Sequence, residues 1–244
     1  MFKLTEIKKM VFFDVETATS HENYSELSER MKDLWSKRCE WLRDNYEDNR
    51  DKTDEELYYY KGALHAEYSK LLCVSFGRVE VDELGNVNHT VHTCSCHDEK
   101  QLLRDVLDVF IKFNASKFKF VGHNIKNFDI PVILKRALIN GVTIPSFLHL
   151  HDLKPWETPL LDTSDVWKFG SWNGGNISLD LLSACLGIPT PKDEMNGSMV
   201  SEAYWKQDKI DEIVKYCEKD VIATANVVLR MSNQQIINLN ELEI

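Results

Sequence analysis

Four carboxylates and one tyrosine occupy three short segments whose spacing could place them around one site. Asp14 and Glu16 are two residues apart at the end of an apolar run, residues 9–16, which predicts a buried strand. Residues i and i+2 of a strand face the same way, so these two carboxylates would repel each other, and burial would add a desolvation penalty. A hard cation between the oxygens removes that difficulty. The alternative is a solvated strand end, which needs no metal.

Tyr216 and Asp220 are four residues apart in residues 209–231, a segment with strong helical periodicity. They therefore lie one turn apart on the same face of the helix. A carboxylate that binds metal beside a phenol that orients water would use this arrangement. A surface hydrogen bond between the two side chains is the simpler alternative.

Asp129 follows a predicted short strand and opens a helix. The helix dipole favours a carboxylate in the first turn, so capping alone could account for it. Strand ends are, however, also the places where α/β sheets build their sites.

The three segments are far more specific together than separately. DVET at residues 14–17, HNIKNFD at 123–129 and YCEKD at 216–220 resemble the motifs of the DEDD exonuclease superfamily, and the tyrosine spacing is that of its DEDDy branch. The surrounding residues are similar to the exonuclease domains of family B DNA polymerases, above all to the stand-alone polymerase-B-like 3′→5′ exonucleases. The resemblance spans residues 9–231 apart from 19–68.

The resemblance implies a ribonuclease H-like fold and a metal-dependent 3′→5′ exonuclease that releases nucleoside 5′-monophosphates. Two divalent ions, Mg²⁺ or Mn²⁺, would be held by four carboxylates, with Asp14 bridging both ions and Glu16, Asp129 and Asp220 completing the two shells. Tyr216 would orient the attacking water, because a phenol that titrates near ~10 is a poor base at neutral pH. We expect these five residues to form the catalytic set.

The same resemblance suggests residues that contact substrate. The main chain near Thr17 and the side chain of Asn124 would lie along the terminal nucleotide, and Lys126 is the basic residue best placed for a backbone phosphate. Asp162 is similar to a recurrent aspartate of the family and would either support the site or be a solvated strand end. His123 is expected to be a structural hydrogen-bonding residue and not a metal ligand.

The elements that must position these residues can be predicted from the hydrophobic periodicity. We expect an α/β fold with a mixed sheet and helices on both faces, in one domain over residues 1–244. Strands are predicted at residues 9–16, 71–79, 87–95, 118–122 and 160–163, the last at a sheet edge. Helices are predicted at residues 98–113, capped by His97 or Asp98, and at 127–141, 177–187 and 209–231.

Residues 19–68 do not fit a simple hairpin connection and are expected to be a mostly helical insertion after the first strand. The insertion leaves the sheet next to Asp14 and Glu16, so it could act as a lid on the site. Its aromatic residues favour a small satellite core, with stacking on single-stranded bases as the alternative. The aromatic residues in question are Trp35, Trp41, Tyr58, Tyr59 and Tyr60.

The net charge of −10 excludes binding of nucleic acid by bulk electrostatic attraction. Binding would need local basic patches or bound cations, which favours short single-stranded ends or a protein partner that delivers the substrate. Single-stranded DNA is our first choice of substrate. The alternatives are an exoribonuclease that trims RNA ends, because the DEDDy branch also includes ribonuclease D-like enzymes, and a catalytically idle binding module, against which the complete motif set argues.

The six cysteines show no spacing typical of a disulfide framework. Cys73 and Cys185 lie in apolar runs and are predicted to be core residues. Histidine and cysteine crowd residues 89–97, but Cys94 and Cys96 lack the usual gap of a structural zinc site, so zinc is the less favoured interpretation there.

The N-terminal residues lack the apolar stretch of a signal peptide, and no run is long enough to span a bilayer. We therefore expect a cytoplasmic protein without a membrane segment.

Overall fold

The computed structural model describes residues 1–82, 86–154, 157–171, 175–189 and 195–237. In this part of the chain one mixed five-stranded sheet has the order β3-β2-β1-β4-β5. The strands are β1 (Met10–Thr19), β2 (Ser69–Val81), β3 (Val87–Ser95), β4 (Lys119–Gly122) and β5 (Leu160–Asp162). The first three strands are antiparallel neighbours, whereas β4 runs parallel to both β1 and β5.

Helices cover both faces of this sheet. They are α1 (Leu4–Ile7), α2 (Glu29–Asn45), α3 (Asp54–Lys61), α4 (Glu99–Ala115), α5 (Asp129–Ile139), α6 (Thr163–Trp167), α7 (Leu179–Cys185), α8 (Val200–Gln207) and α9 (Ile210–Met231). The described residues contain no helix that is long and apolar enough to cross a membrane.

The five strands and the four main helices predicted from periodicity are confirmed. Asp98 caps α4, since its side chain accepts hydrogen bonds from two backbone N–H groups of the first turn. The short helices α1, α6 and α8 were not predicted, because segments of four to eight residues show too little periodicity.

The prediction for Cys185 is wrong, whereas Cys73 is buried as expected. Cys185 is exposed because α7 turns another side, carrying Leu182, towards Val227 of α9.

Two hydrophobic layers enclose the sheet. On one face Val11, Phe13 and Val15 of β1 pack with α4 and α5. On the other face Phe12 packs under α9, which lies so close that a Cβ atom on Gly77 would come within 2.5 Å of Val221. Alternate residues of β1 therefore face α9, and that set includes Asp14 and Glu16.

The short strand β4 leaves part of β1 without a strand partner on that edge. Pairing between the two strands reaches only from Met10 to Phe12 on β1, although β1 continues to Thr19. At the end of β4 a Cβ atom on Gly122 would lie 2.1 Å from Ile125 and 2.8 Å from the carbonyl oxygen of Phe13. This close approach starts the loop that leads to α5.

Residues 20–68, between β1 and β2, are largely helical and contain α2 and α3. Their side chains build a separate small core around Trp35 and Tyr58, both 0% exposed, together with Leu57 and Tyr68. The satellite core predicted for these aromatics is thus confirmed for two of them, while Trp41, Tyr59 and Tyr60 are exposed.

A buried ion pair holds α5 against the rest of the domain. Arg136 of α5 donates to both carboxylate oxygens of Glu99 at the start of α4, with a Nε–Oε1 distance of 2.8 Å. Glu99 also accepts from the N–H of Leu71 in β2, and Arg136 donates to the carbonyl oxygen of Ala66. These bonds tie the C-terminal part of α5 to α4 and to the start of β2.

Candidate active site

The carboxylates of Asp14 and Glu16 lie on the face of β1 that α9 covers. Opposite them in β2 stand Ser75 and Cys73, in antiparallel register. The register shifts immediately after Glu16, where β2 has one residue more than β1. Such bulges redirect side chains next to functional sites, and this one marks the end of the carboxylate pair.

Helix α9 brings the third carboxylate to this place. Oxygen atoms of Asp14, Glu16 and Asp220 all lie within 4.8 Å of one another. Tyr216, one helical turn before Asp220, forms a hydrogen bond with it. The pair on β1, Asp14 and Glu16, and the pair on α9, Tyr216 and Asp220, are far apart in sequence but lie together in the fold.

The carboxylates of this cluster repel each other in a buried setting. Burial is the largest cause that raises the pKa of Asp14 well above its ordinary value, and the neighbouring Cys217, Asp129, Asp220 and Glu16 raise it further. Burial also raises the pKa of Glu16, with Asp220 and Asp129 adding to the effect. Without a cation, burial and mutual repulsion therefore disfavour the charged form of these carboxylates.

Asp129, the first residue of α5, is buried and lies near the backbone of Val15 in β1. Burial raises the pKa of Asp129 to about 8, and the carboxylates of Asp162 and Asp220 contribute to this increase. Hydrogen bonds from the backbone N–H groups of Asp129 itself and Val15 act in the opposite direction. Asp129 influences Asp14 and Glu16 electrostatically but is not a member of the three-carboxylate group.

Tyr216 is held as a neutral phenol. Burial raises its pKa above the ordinary value, and the nearby carboxylates of Asp220, Glu16 and Asp14 raise it further. A phenol in this state donates a hydrogen bond and is a weak proton acceptor.

The donor set fits a hard divalent cation. Asp14, Glu16 and Asp220 offer only carboxylate oxygens, which suit Mg²⁺, Mn²⁺ or Ca²⁺ better than softer metals. Among the described residues this is the one group of three or more His, Cys, Asp or Glu side chains close enough to share an ion. A cation there would neutralise the repulsion that raises the carboxylate pKa values.

The loop between β4 and α5 is shaped by Asp162, which is 1% exposed at the end of β5. Its two carboxylate oxygens accept from the backbone N–H groups of Asn124, at 2.9 Å, and Lys126, at 3.1 Å, and one also accepts from Ser164. Asn124 has a φ of 61°, a left-handed conformation that asparagine tolerates better than most residues. Asp162 therefore supports the loop from behind and is not a solvated strand end.

The structure shows where the other expected residues lie. His123 donates from Nε2 to the carbonyl oxygen of Ile177, at 2.8 Å, and its Nδ1 lies 2.9 Å from the Thr163 hydroxyl, so it is a structural hydrogen-bonding residue as expected. The side-chain oxygen of Asn124 accepts from the amides of Asn127 and Asn176.

Lys126 and Thr17 also have partners within the protein. Lys126 is paired with Asp165, with 3.0 Å between Nζ and Oδ2. The Thr17 hydroxyl donates to the carbonyl oxygen of Ala63, at 2.9 Å, at the end of the insertion. Substrate contacts for Thr17, Asn124 and Lys126 stay predictions.

Cys217 is a member of the site that the sequence analysis missed. Its Sγ atom lies 3.5 Å from Oδ2 of Asp14, and burial and hydrogen bonding to Cys73 raise the pKa of the thiol, so it stays protonated. Cys217 precedes Asp220 by three residues, a spacing that places the two on one helix face and could have identified it.

A row of hydroxyl groups continues the site across the sheet. Ser75 lies beside Asp14 on β2, and its hydroxyl oxygen is 2.8 Å from that of Thr93 on β3. Thr93 donates to Glu218 of α9 at 2.7 Å. This contact ties the helix that carries Asp220 to the far strand.

The histidine and cysteine residues at 89–97 do not form such a site. Along β3, His92 and Cys94 approach to 3.9 Å between Nε2 and Sγ. No third potential ligand of the described residues joins them at metal-binding distance.

A comparison with protein families gives a match over residues 63–241 to a model described as a predicted 3′-5′ exonuclease related to the exonuclease domain of PolB. The chain belongs to this family. The matched span contains Asp129, Tyr216 and Asp220 but not Asp14 or Glu16, so the place of β1 in the site rests on the geometry. Membership in the family implies a nucleic-acid substrate.

Among solved structures, the family B DNA polymerase from the hyperthermophilic archaeon Pyrobaculum calidifontis is similar, with a TM-score of 0.52 and 15% sequence identity. The match covers 92% of this chain and 24% of the polymerase, so the chain spans about a quarter of that protein. The likeness shows that the fold is the ribonuclease H-like α/β fold of a polymerase exonuclease domain. No curated protein gives a significant match.

Proposed function

We propose that this chain is a metal-dependent 3′→5′ exonuclease that hydrolyses the terminal phosphodiester of single-stranded DNA and releases nucleoside 5′-monophosphates. The observation that carries the proposal is the convergence of three carboxylates from β1 and α9 within 4.8 Å, beside a tyrosine. Membership in a family of predicted 3′-5′ exonucleases supports the reaction class and the polarity.

In this mechanism Asp14, Glu16 and Asp220 would hold divalent cations, and Asp129 would be a further ligand. Two bound ions, Mg²⁺ or Mn²⁺, would supply a water of lowered pKa and stabilise the charge on the leaving 3′ oxygen. The raised pKa values of Asp14 and Glu16 support this assignment. They show that the charged form of each carboxylate is unfavourable in the protein alone, and a bound cation would stabilise that form.

Tyr216 orients the attacking water by a hydrogen bond. Its pKa is raised by burial and by the carboxylates around it, so the phenol keeps its proton throughout the useful pH range. It therefore positions the water and does not remove a proton from it.

The terminal nucleotide lies between the end of β1 and the loop after β4. The Thr17 main chain lies next to Glu16 on β1, and Asn124 and Lys126 lie in the loop that Asp162 supports. Lys126 exchanges its ion pair with Asp165 for a substrate phosphate, which is a small change because both side chains are partly exposed.

The experiment is digestion of 5′-labelled single-stranded DNA and RNA of the same sequence, with Mg²⁺, Mn²⁺ or EDTA. We expect a ladder that shortens from the 3′ end, needs metal and disappears in Asp14→Ala. The matched control is Asp105→Ala, an exposed carboxylate on α4. Faster cleavage of the RNA would change the substrate class, and no cleavage of either substrate would contradict the proposal.

A further inference from the structure

The insertion carries a groove that the proposed reaction does not use. It encloses about 280 Å³ and is lined by the side chains of α2, α3 and the turn that follows. We call it the insertion groove. Its aromatic and charged lining residues include Arg38, Trp41, Tyr46, Asp48, Tyr60 and Lys61.

The aromatic rings of the insertion groove are accessible. Trp41 is 43% exposed and Tyr60 is 49% exposed, in contrast to the buried rings of the satellite core. Tyr46 packs edge-on against Trp41, with 5.8 Å between ring centres, and keeps half of its surface exposed. Partly exposed aromatic rings of this kind can stack on single-stranded bases.

Basic groups lie over these rings. The guanidinium carbon of Arg38 is 4.3 Å from the centre of the Trp41 ring, and Nζ of Lys61 is 4.3 Å from that of Tyr60. Within the described part of the chain neither cation takes part in an ion pair, whereas Lys126 and Lys135 do. Arg38 and Lys61 thus offer positive charge that only Asp48 opposes in the groove lining.

A second groove, between the insertion and α8, shows the opposite charge. It encloses about 320 Å³, shares Tyr60, and is lined by Glu22, Glu56 and Glu202. Its lysine, Lys206, lies 3.8 Å from Glu202. A polyanion would be repelled there, so charge complementarity selects the insertion groove.

The insertion groove lies next to the carboxylate site along the chain. Lys61 and Leu64 line the groove and flank Ala63, whose carbonyl oxygen accepts from the Thr17 hydroxyl. Thr17 directly follows Glu16. The turn that lines the groove is thus tied to β1 one residue after the carboxylate pair.

We infer that the insertion groove binds the nucleotides of a single-stranded nucleic acid upstream of its 3′ end, by stacking on Trp41 and Tyr60 and by phosphate contacts to Arg38 and Lys61. The inference rests on the proposed function and specifies how an acidic protein holds its substrate. The groove would contribute binding energy to long substrates and none to those too short to reach it.

The test measures binding and cleavage separately. Fluorescence anisotropy in EDTA would give the affinity of a labelled 12-nucleotide single-stranded DNA, and of the RNA of the same sequence, for wild type, Trp41→Ala and Lys61→Glu. We expect about tenfold weaker binding in each variant, which is the order of one lost stacking or phosphate contact. With Mg²⁺ the KM for the 12-nucleotide substrate should rise about tenfold, while cleavage of a trinucleotide stays unchanged.

Lys9→Glu is the matched control, since Nζ of Lys9 lies 4.9 Å from the Phe118 ring at the amino ends of β1 and β4, away from the carboxylates. It should bind as wild type does. Because Trp41 and Lys61 lie on the surface, the circular dichroism spectrum and the Tm of their variants should stay as in wild type. Tyr60→Ser provides a second variant if Trp41→Ala loses its fold.

The outcomes separate the two proposals. Wild-type affinity in all groove variants, with cleavage intact, would overturn the groove and leave the exonuclease standing. Weaker binding in the groove variants, with no cleavage by wild type, would support the groove and contradict the exonuclease.

Discussion

The thiol of Cys217 lies 3.5 Å from Oδ2 of Asp14 and 3.4 Å from the Asp14 carbonyl oxygen. The thiol is protonated, because burial and the neighbouring Cys73 raise its pKa. It therefore acts as a weak donor to the Asp14 carboxylate, which we propose as a metal ligand. We therefore expect Cys217 to be a positioning residue that orients Asp14.

Replacing Cys217 by alanine should raise the Mg²⁺ concentration needed for half-maximal cleavage about threefold to tenfold, the order of one net hydrogen bond. Cys217→Ser keeps a donor and should recover most of the difference. Metal-activation curves would measure both. Cys39→Ala, which removes a buried thiol from the insertion core, is the control. An unchanged metal requirement in Cys217→Ala would contradict the positioning role.

The stability of the metal-free protein should decrease as the pH rises from about 4 to about 8. Burial raises the pKa of Asp129 to about 8 in the folded state, whereas an unfolded aspartate titrates near ~3.9. Between these values the folded state binds more protons than the unfolded state, so the free energy of unfolding falls with increasing pH.

The change to test is Asp129→Asn, which should flatten this dependence. Thermal unfolding in EDTA at pH 5, 6.5 and 8 would show wild type losing several degrees in Tm and the variant losing fewer. Asp165→Asn is the control. Hydrogen bonds and ion pairing with Lys126 and Lys168 lower the pKa of Asp165. The contribution of Asp165 to stability is therefore lost only in acid, below the pH range of this experiment. The same slope in wild type and Asp129→Asn would refute the assignment.

Tyr216→Phe should reduce kcat about tenfold to a hundredfold, the order of one hydrogen bond to a charged group, with little effect on metal affinity. The hydroxyl contacts Asp220 but is not needed to complete the carboxylate group. Single-turnover cleavage and a metal titration would separate the two effects. A kcat close to that of wild type would exclude the water-orienting role.

Because the phenol stays protonated, we also expect no loss of the wild-type rate from tyrosine ionisation up to pH 9. A pH profile of wild type beside Tyr216→Phe checks this. A fall in rate below pH 9 that is absent from the variant would show that the phenol titrates.

Gly122→Ala should destabilise the protein by about 1–3 kcal/mol and lower its activity. The added Cβ atom would lie 2.1 Å from Ile125 and 2.8 Å from the Phe13 carbonyl oxygen, so the loop that leads to Asp129 must move. Denaturant unfolding and cleavage rates would measure the two effects. Gly197→Ala, where nothing lies within 4 Å of the added atom, should leave both unchanged. Equal behaviour of the two variants would contradict the close contact.

Much of the fold could be predicted because its signals are local. The apolar run around Phe12 and the helical repeat of α9 each depend on neighbours within one or two turns of the chain. The exposed position of Cys185 could not be predicted, because the apolar run of α7 does not show which side the rest of the fold covers.

The sequence by itself determined the chemistry of the site. The two-residue spacing of Asp14 and Glu16 and the four-residue spacing of Tyr216 and Asp220 restrict each pair to one face of its element, whatever lies around it. The type of side chain, a carboxylate, favours a hard cation as the partner.

Only the tertiary structure decided how these pieces meet. The packing of α9 on β1 and β2 brings Asp220 to Asp14 and Glu16, and places the Cys217 thiol against Asp14. Asp129 reaches the backbone of Val15 at the edge of β1 that β4, which ends early, leaves unpaired. Such contacts join residues far apart in the chain, so they depend on the packing of complete elements and not on local spacing.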